Sequence, residues 1–209
     1  MKTASLTLFL GIALLILVPN ASAQAAPGCA PYGDGGGVGP GPVVSWFDYI
    51  ANGNPDLANT NPQDGTINCW SLANASTGQF MPCGFFGEQY SGFEFNYGGD
   101  ITQQFTIPAT SPHTSFTYYG FSYFLNFENP DHEFPWDLQI NVQVWDQTTG
   151  RVLISDHYDA SQPDLACSRR DPTGFYGNLA GHTILVMIMG NRGYASSHVR
   201  VNHIMFSGS

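Results

Sequence analysis

The sequence predicts an all-β chain folded as a two-sheet antiparallel β-sandwich, and three observations carry that prediction. Apolar and polar residues alternate over many short segments, and clusters of Gly, Pro, Asn and Asp separate them. No window shows the three- and four-residue apolar spacing of a helix over two or more turns. Each half-apolar strand must bury one face, so many of them in one chain imply two packed layers.

Met1 to Ala23 reads as a signal peptide, with Lys2 at its positive start, an apolar run from Leu6 to Val18 and the small-residue site Ala21-Ser22-Ala23. The run is too short to span a bilayer comfortably and no later stretch is long enough, so export without membrane insertion is expected. Gln24 to Pro42 is a Gly/Pro-rich arm with no packable face, which leaves 43–209 as one domain.

Order is expected to begin at Val43 to Tyr49, and Asn52 to Cys83, poor in apolar residues, reads as a long loop. Tyr90 to Tyr97 forms one strand. Asp100 to Pro108 forms the next, with Ile101, Gln103, Phe105 and Ile107 on one face. Thr114 to Phe127 holds seven aromatic residues, and Gly120 within it predicts a bulge. From Trp136 to Asp146, Trp136, Leu138, Ile140, Val142 and Val144 alternate with Asp137, Gln139, Asn141 and Gln143. The turn Gln147 to Gly150 then leads into Arg151 to Ile154 as a hairpin. A turn at Gly181 precedes a strand from Thr183 to Met189, and a closing strand covers Val199 to Phe206.

After the signal, five arginines face sixteen Asp and Glu, a formal charge of −11. Nucleic acid, acidic membranes and polyanionic glycans would meet net repulsion, whereas a neutral polysaccharide would not. Cys29, Cys69, Cys83 and Cys167 form an even set in an exported chain, which argues for two disulfides. Three pairings are possible. Cys69–Cys83, closing a short loop, with Cys29–Cys167, tying the arm to a later loop, is the expected one. No Cys-x-x-Cys or Cys-x-x-His spacing supports a zinc site.

Several segments together resemble the galactose-binding-like jelly roll found in secreted carbohydrate-binding modules. Phe47-Asp48 through Gly53 with the later Trp70 resembles the first strand of such domains, and Gly98 to Pro108 resembles their Ile-x-Gln-x-Phe strand. Ser115 to Leu125, Leu138 to Leu153 and Leu179 to Phe206 resemble the strands that follow. The resemblance spans Val44 to Ser207. It implies a jelly-roll sandwich and a structural calcium held by an early acid and a residue of the closing strand. Those positions are Asp48 and Asn202 here, with Asn standing where many relatives have Asp.

The function expected on this reading is non-catalytic binding of a neutral glycan, by stacking sugar rings on aromatic side chains while amides and acids bond the hydroxyls. Candidate stacking residues are Tyr90, Tyr97, Tyr119, Trp136, Tyr158, Tyr176 and Tyr194. One alternative is a structural or adhesive surface protein that contacts other surface proteins. The other is a jelly-roll glycosidase or polysaccharide lyase using Glu128, Asp131 or Glu133. No Gly-x-Ser-x-Gly element, His-x-His pair or phosphate-binding glycine loop is present to support other chemistry. Asn74-Ala75-Ser76 is a glycosylation sequon, meaningful if the source is eukaryotic.

Overall fold

A computed structural model describes residues 47–50, 60–61, 66–67, 69–80, 90–128, 138–161, 168–170, 174–193 and 197–209. The expected signal peptide and glycine-rich arm lie outside them. The strands are β1 (Phe47–Asp48), β2 (Thr60–Asn61), β3 (Thr66–Ile67), β4 (Trp70–Phe80), β5 (Tyr90–Thr106) and β6 (Tyr118–Glu128). They continue as β7 (Gln139–Asp146), β8 (Arg151–Asp159), β9 (Ser168–Arg170), β10 (Phe175–Tyr176), β11 (Thr183–Asn191) and β12 (His198–Gly208). Every recorded pairing is antiparallel, and among the described residues the one helical element is a 3-10 turn at His113–Ser115.

One continuous sheet curls into two layers, and β5 is the strand that passes between them. Its first half pairs with β12 through Phe93–Phe95, and its second half pairs with β11 through Gly99–Thr106. The first layer is therefore β5–β12–β6, with β9 and β10 on the far edge of β6 and β1 beside the end of β12. The second is β5–β11–β7–β8. β4 follows the other edge of β5 through both halves.

The crossing is made at Gly98 and Gly99, so the two strands expected over Tyr90–Tyr97 and Asp100–Pro108 are one bent strand. Between the pairs Ala73–Asp100 and Ala75–Phe95, four residues of β5 oppose Asn74 alone. Gly98 has φ +63° and Asn74 +48°, left-handed values that let both strands turn at once. A Cβ on Gly99 would stand 2.3 Å from the Asn74 carbonyl oxygen, so only glycine fits that crossing. Asn74, the sequon residue, is exposed there.

β4 replaces much of the loop expected over Asn52–Cys83. It pairs with β5 along its length and with the short β3 at Trp70 and Ser71; Trp70, Leu72 and Ala75 turn to the core, and its partners' backbones supply the order that its composition does not. Cys69, just before it, is disulfide-bonded and has φ 79°. Its expected partner Cys83 lies outside the described residues, as do Cys29 and Cys167. The bulge expected at Gly120 is instead in β12, where the register shifts between Asn202 and Met205 while Gly120 pairs regularly with Ser207.

Between the layers the core is aromatic at one end and aliphatic at the other. Ile140, Val142 and Val144 of β7 and Ile184, Val186 and Ile188 of β11 are fully buried, the alternation the sequence predicts. Phe206 lies at the aromatic end, with Tyr49, Phe105, Tyr119 and Phe175 at centroid distances of 6.3, 5.6, 5.9 and 6.4 Å. The Tyr49 hydroxyl is 2.8 Å from His113 Nδ1. Burial, followed by the proximity of Tyr119, pushes the Tyr49 phenol well above its ordinary range.

Candidate functional site

The outward face of the second layer carries an unusual set of side chains for a solvent-facing sheet. In β7 the alternation that buries Ile140, Val142 and Val144 turns Gln139, Asn141, Gln143 and Trp145 outward. Register with β11 sets Trp145 beside Leu185, Gln143 beside Met187 and Asn141 beside Met189. β5 continues these rows with Gln104, Thr102 and Asp100. The result is an indole at one end of a strip of amides and thioethers, each partly exposed.

Hydrogen bonds fix the strip. Trp145 Nε1 donates to Gln143 Oε1 at 3.0 Å, and His157 Nδ1 lies 2.8 Å from Asn141 Oδ1. At the other end is a depression of about 330 Å³ lined by Gly98, Asp100, Gln139, Asn141, Met189 and Asn191, among others. At Gly98 an added Cβ would meet open space, whereas at Gly99 and Gly190 it would run into the Asn74 carbonyl and the Phe95 ring, so the chain crossing and the core require glycine there. Arg192 stacks its guanidinium 5.0 Å above the Tyr97 ring centre beside this depression. From Asn141 to Trp145 the strip runs about 13 Å, the length of two to three sugar units.

The turn after Trp145 is locked by a buried carboxylate. Asp146 accepts hydrogen bonds from the Thr148 and Thr149 N–H groups at 3.0 and 3.3 Å and from the Thr149 hydroxyl at 2.5 Å; His182 Nδ1 lies 2.9 Å away. Burial pushes the Asp146 carboxyl up, but the Thr149 hydroxyl, then the His182 contact and the Thr149 N–H, outweigh it and hold it below the ordinary carboxylate value. A depressed folded-state pKa adds stability above the unfolded pKa of about 3.9 and loses it as pH falls through the folded value. Asp146→Asn is therefore expected to lower the melting temperature clearly at pH 5–7. The gap to the unsubstituted protein should close as pH falls below about 4, checked by thermal melts across that range.

The first layer carries a different polar cluster on its outward face. Arg200 of β12 donates from Nε to Glu94 Oε2 at 3.3 Å and from Nη1 to Glu128 Oε1 at 2.5 Å. His198 Nδ1 lies 2.5 Å from Glu94 Oε1, and Asn126 Nδ2 donates to Glu128 Oε1 at 3.1 Å. Glu128 is thus tied into a cross-strand network spanning β5, β12 and β6. Asp131 and Glu133 lie outside the described residues.

The expected stacking residues scatter. Tyr97 is 52% exposed beside the depression and Tyr176 is 83% exposed on β10. Tyr119 is fully buried against Phe175 and Phe206, with its hydroxyl accepting from the Leu179 N–H at 3.4 Å, so it belongs to the core. Tyr158 also packs against the core from the inner face of β8. β5 opens at Tyr90, opposite Phe80. Trp136 and Tyr194 lie outside the described residues.

Trp145, which sequence reasoning missed, was indicated by the alternation of its own strand: it is the next outward position after Gln143. Both expected calcium positions lie on or beside β12. Asp48 pairs with Ser207, and Asn202 pairs with Phe124 five positions earlier in β12. Among the described residues no group of three or more His, Cys, Asp or Glu converges on a metal-sized space.

No family model matches the sequence, and no curated protein matches it. Solved structures do. A cyclase from Fischerella sp. TAU is similar over 79% of this chain and 98% of its own, at TM-score 0.50 and 12% identity. An exo-β-agarase matches 71% of this chain at TM-score 0.46 and 12% identity, and the chain spans only 24% of it. A carbohydrate-binding module of the β-sandwich superfamily matches 77% of this chain and 72% of its own, at TM-score 0.34 and 11% identity. The cyclase likeness concerns fold alone: this chain is a β-sandwich built from a curled antiparallel sheet.

Proposed function

We propose that the chain is a secreted, non-catalytic carbohydrate-binding β-sandwich that holds a neutral glycan along the outward face of the second layer. The observation that carries this is the row Trp145, Gln143, Asn141 leading into the depression at Gly98–Gly99. An indole takes the C–H face of a sugar ring, and fixed amides on the same sheet face take its hydroxyls. The acidic balance of the chain, a formal charge of −10 over the full sequence, favours a neutral ligand over an anionic one.

A sandwich by itself does not choose a function; the side chains it presents do. A hydrolase needs two carboxyl groups facing a bound sugar in different roles. Among the described residues Glu94 and Glu128 face one another across β12, and both are engaged by the same Arg200 guanidinium, the arrangement of a structural ion pair. An adhesive protein calls for a broad exposed apolar patch. Among the described residues the exposed large apolar side chains are Tyr97, Tyr118, Val152 and Tyr176, spread over four strands.

The test is a panel of soluble neutral polysaccharides with the purified chain and its Trp145→Ala variant. Saturable binding without release of reducing ends is expected, with the variant's affinity falling about 10- to 100-fold at an unchanged melting temperature. No binding to any glycan would overturn the reading.

A further inference from the structure

We propose that the protein has a second, independent sugar site on the opposite layer, a shelf built by Tyr118 and Tyr176 over Gly120 and Ser207, and that it is therefore bivalent. The inference rests on the glycan-binding reading above and extends it to a different face of the molecule.

Tyr176 is 83% exposed and Tyr118 39% exposed, and their rings meet edge to face at 5.2 Å. An exposed tyrosine on a strand as short as β10 is ordinarily mobile; Tyr176 and Tyr118 are held from behind. Phe175, the neighbour of Tyr176, turns inward and stacks on Tyr119 at 5.8 Å. The Gly177 N–H donates to the Thr117 carbonyl at 3.0 Å, and the Thr117 and Tyr118 N–H groups both donate to the Ser209 carbonyl, at 3.0 and 3.1 Å. Gly174 lies against the Tyr118 ring so closely that a Cβ there would sit 1.9 Å from the phenol oxygen. Two exposed rings are thus fixed before any ligand arrives, which removes the ordering penalty that weakens binding to mobile aromatics.

The floor beside them is flat. Gly120 presents no side chain, and a Cβ there would stand 3.8 Å from both Tyr118 Cε1 and the Ser207 hydroxyl. An aromatic wall, a bare backbone floor and one hydroxyl match a single neutral sugar ring: C–H face on the tyrosine, hydroxyls to Ser207 and the phenols. None of these four residues is charged, so the shelf itself offers an anionic or cationic ligand no ion pair. Two rings also fall far short of the roughly 800 Å² per side of a stable protein interface.

The shelf lies on the outward face of β6, β10 and β12, whereas Trp145 lies on the outward face of β7 across the core. No short oligosaccharide can reach both, so two chains are held at once and a soluble polysaccharide is cross-linked.

The experiment uses the full mature chain with the glycan selected by the panel. Binding of a short oligosaccharide is titrated for stoichiometry, and turbidity of the long polysaccharide reads cross-linking. Two equivalents per protein are expected for the unsubstituted chain. Tyr176→Ala and Trp145→Ala should each retain one equivalent and abolish turbidity, and the double variant should bind none. One equivalent, removed by Trp145→Ala alone and untouched by Tyr176→Ala, would overturn the second site and leave the proposed function standing. One equivalent removed by Tyr176→Ala alone would overturn bivalency and move the function off the Trp145 face. No binding to any glycan would overturn both.

Discussion

Phe206→Ala is expected to destabilise the protein by about 3–5 kcal/mol, the largest effect of any single substitution considered. The ring is fully buried and touches Tyr49, Phe105, Tyr119 and Phe175, which come from four different parts of the chain. Removing it leaves a cavity those rings cannot fill together. Tyr49 is held by a hydrogen bond to buried His113, and Tyr119 by the backbone of β6. Denaturant unfolding followed by intrinsic fluorescence measures the change, and the slope with denaturant should stay constant if the native fold persists. Phe206→Leu, which keeps most of the volume, should lose less than half as much. Equal losses for the two would show that ring packing is not what holds this end of the core.

The same residue illustrates what the sequence makes legible. Alternation alone indicates that Phe206, Ile184 to Ile188 and Ile140 to Val144 face inward, because burial repeats every second residue whatever the sheet topology. The hairpin at Gln147–Gly150 and the turn at Gly181 are also local, set by Asp146 as acceptor and by the positive φ of Gly150 and Gly181. What failed was non-local. β4 looks like loop because its order comes from the edge of β5 rather than from its own side chains. Tyr119 looks exposed because it adjoins Tyr118, and only the packing of β10 against β6 settles which of the two turns inward. The bend at Gly98–Gly99 reads as a strand break because glycines end strands more often than they carry one from layer to layer. The site was half legible: the Gln139–Gln143 alternation was plain, and Trp145 continues it, but which strands complete the face depends on pairing that no local pattern encodes.

Arg200→Leu is expected to destabilise by about 2–3 kcal/mol, although leucine suits a strand. Arg200 is the cation between Glu94 and Glu128, on the middle strand of three, and its side chain is only 12% exposed. Removing it leaves two carboxylates facing each other across β12 without their shared donor. The penalty comes from those abandoned charges more than from the lost bonds, which sets up a discriminating comparison. Glu94→Gln in the Arg200→Leu background should recover stability, whereas Glu94→Gln in the unsubstituted protein should lower it. The coupling between the two positions is expected at about 1–2 kcal/mol by double-mutant cycle. Because Glu94 and Glu128 are partly shielded, at 17% and 39% side-chain exposure, the Arg200→Leu loss should shrink only modestly in high salt. The variant also separates binding from catalysis. Arg200 lies on the layer opposite Trp145, so glycan binding by the Trp145 face should survive the substitution. Freeing Glu94 and Glu128 should release no reducing sugar from a bound polysaccharide, and hydrolysis appearing in Arg200→Leu would show instead that the ion pair masks a catalytic carboxylate pair.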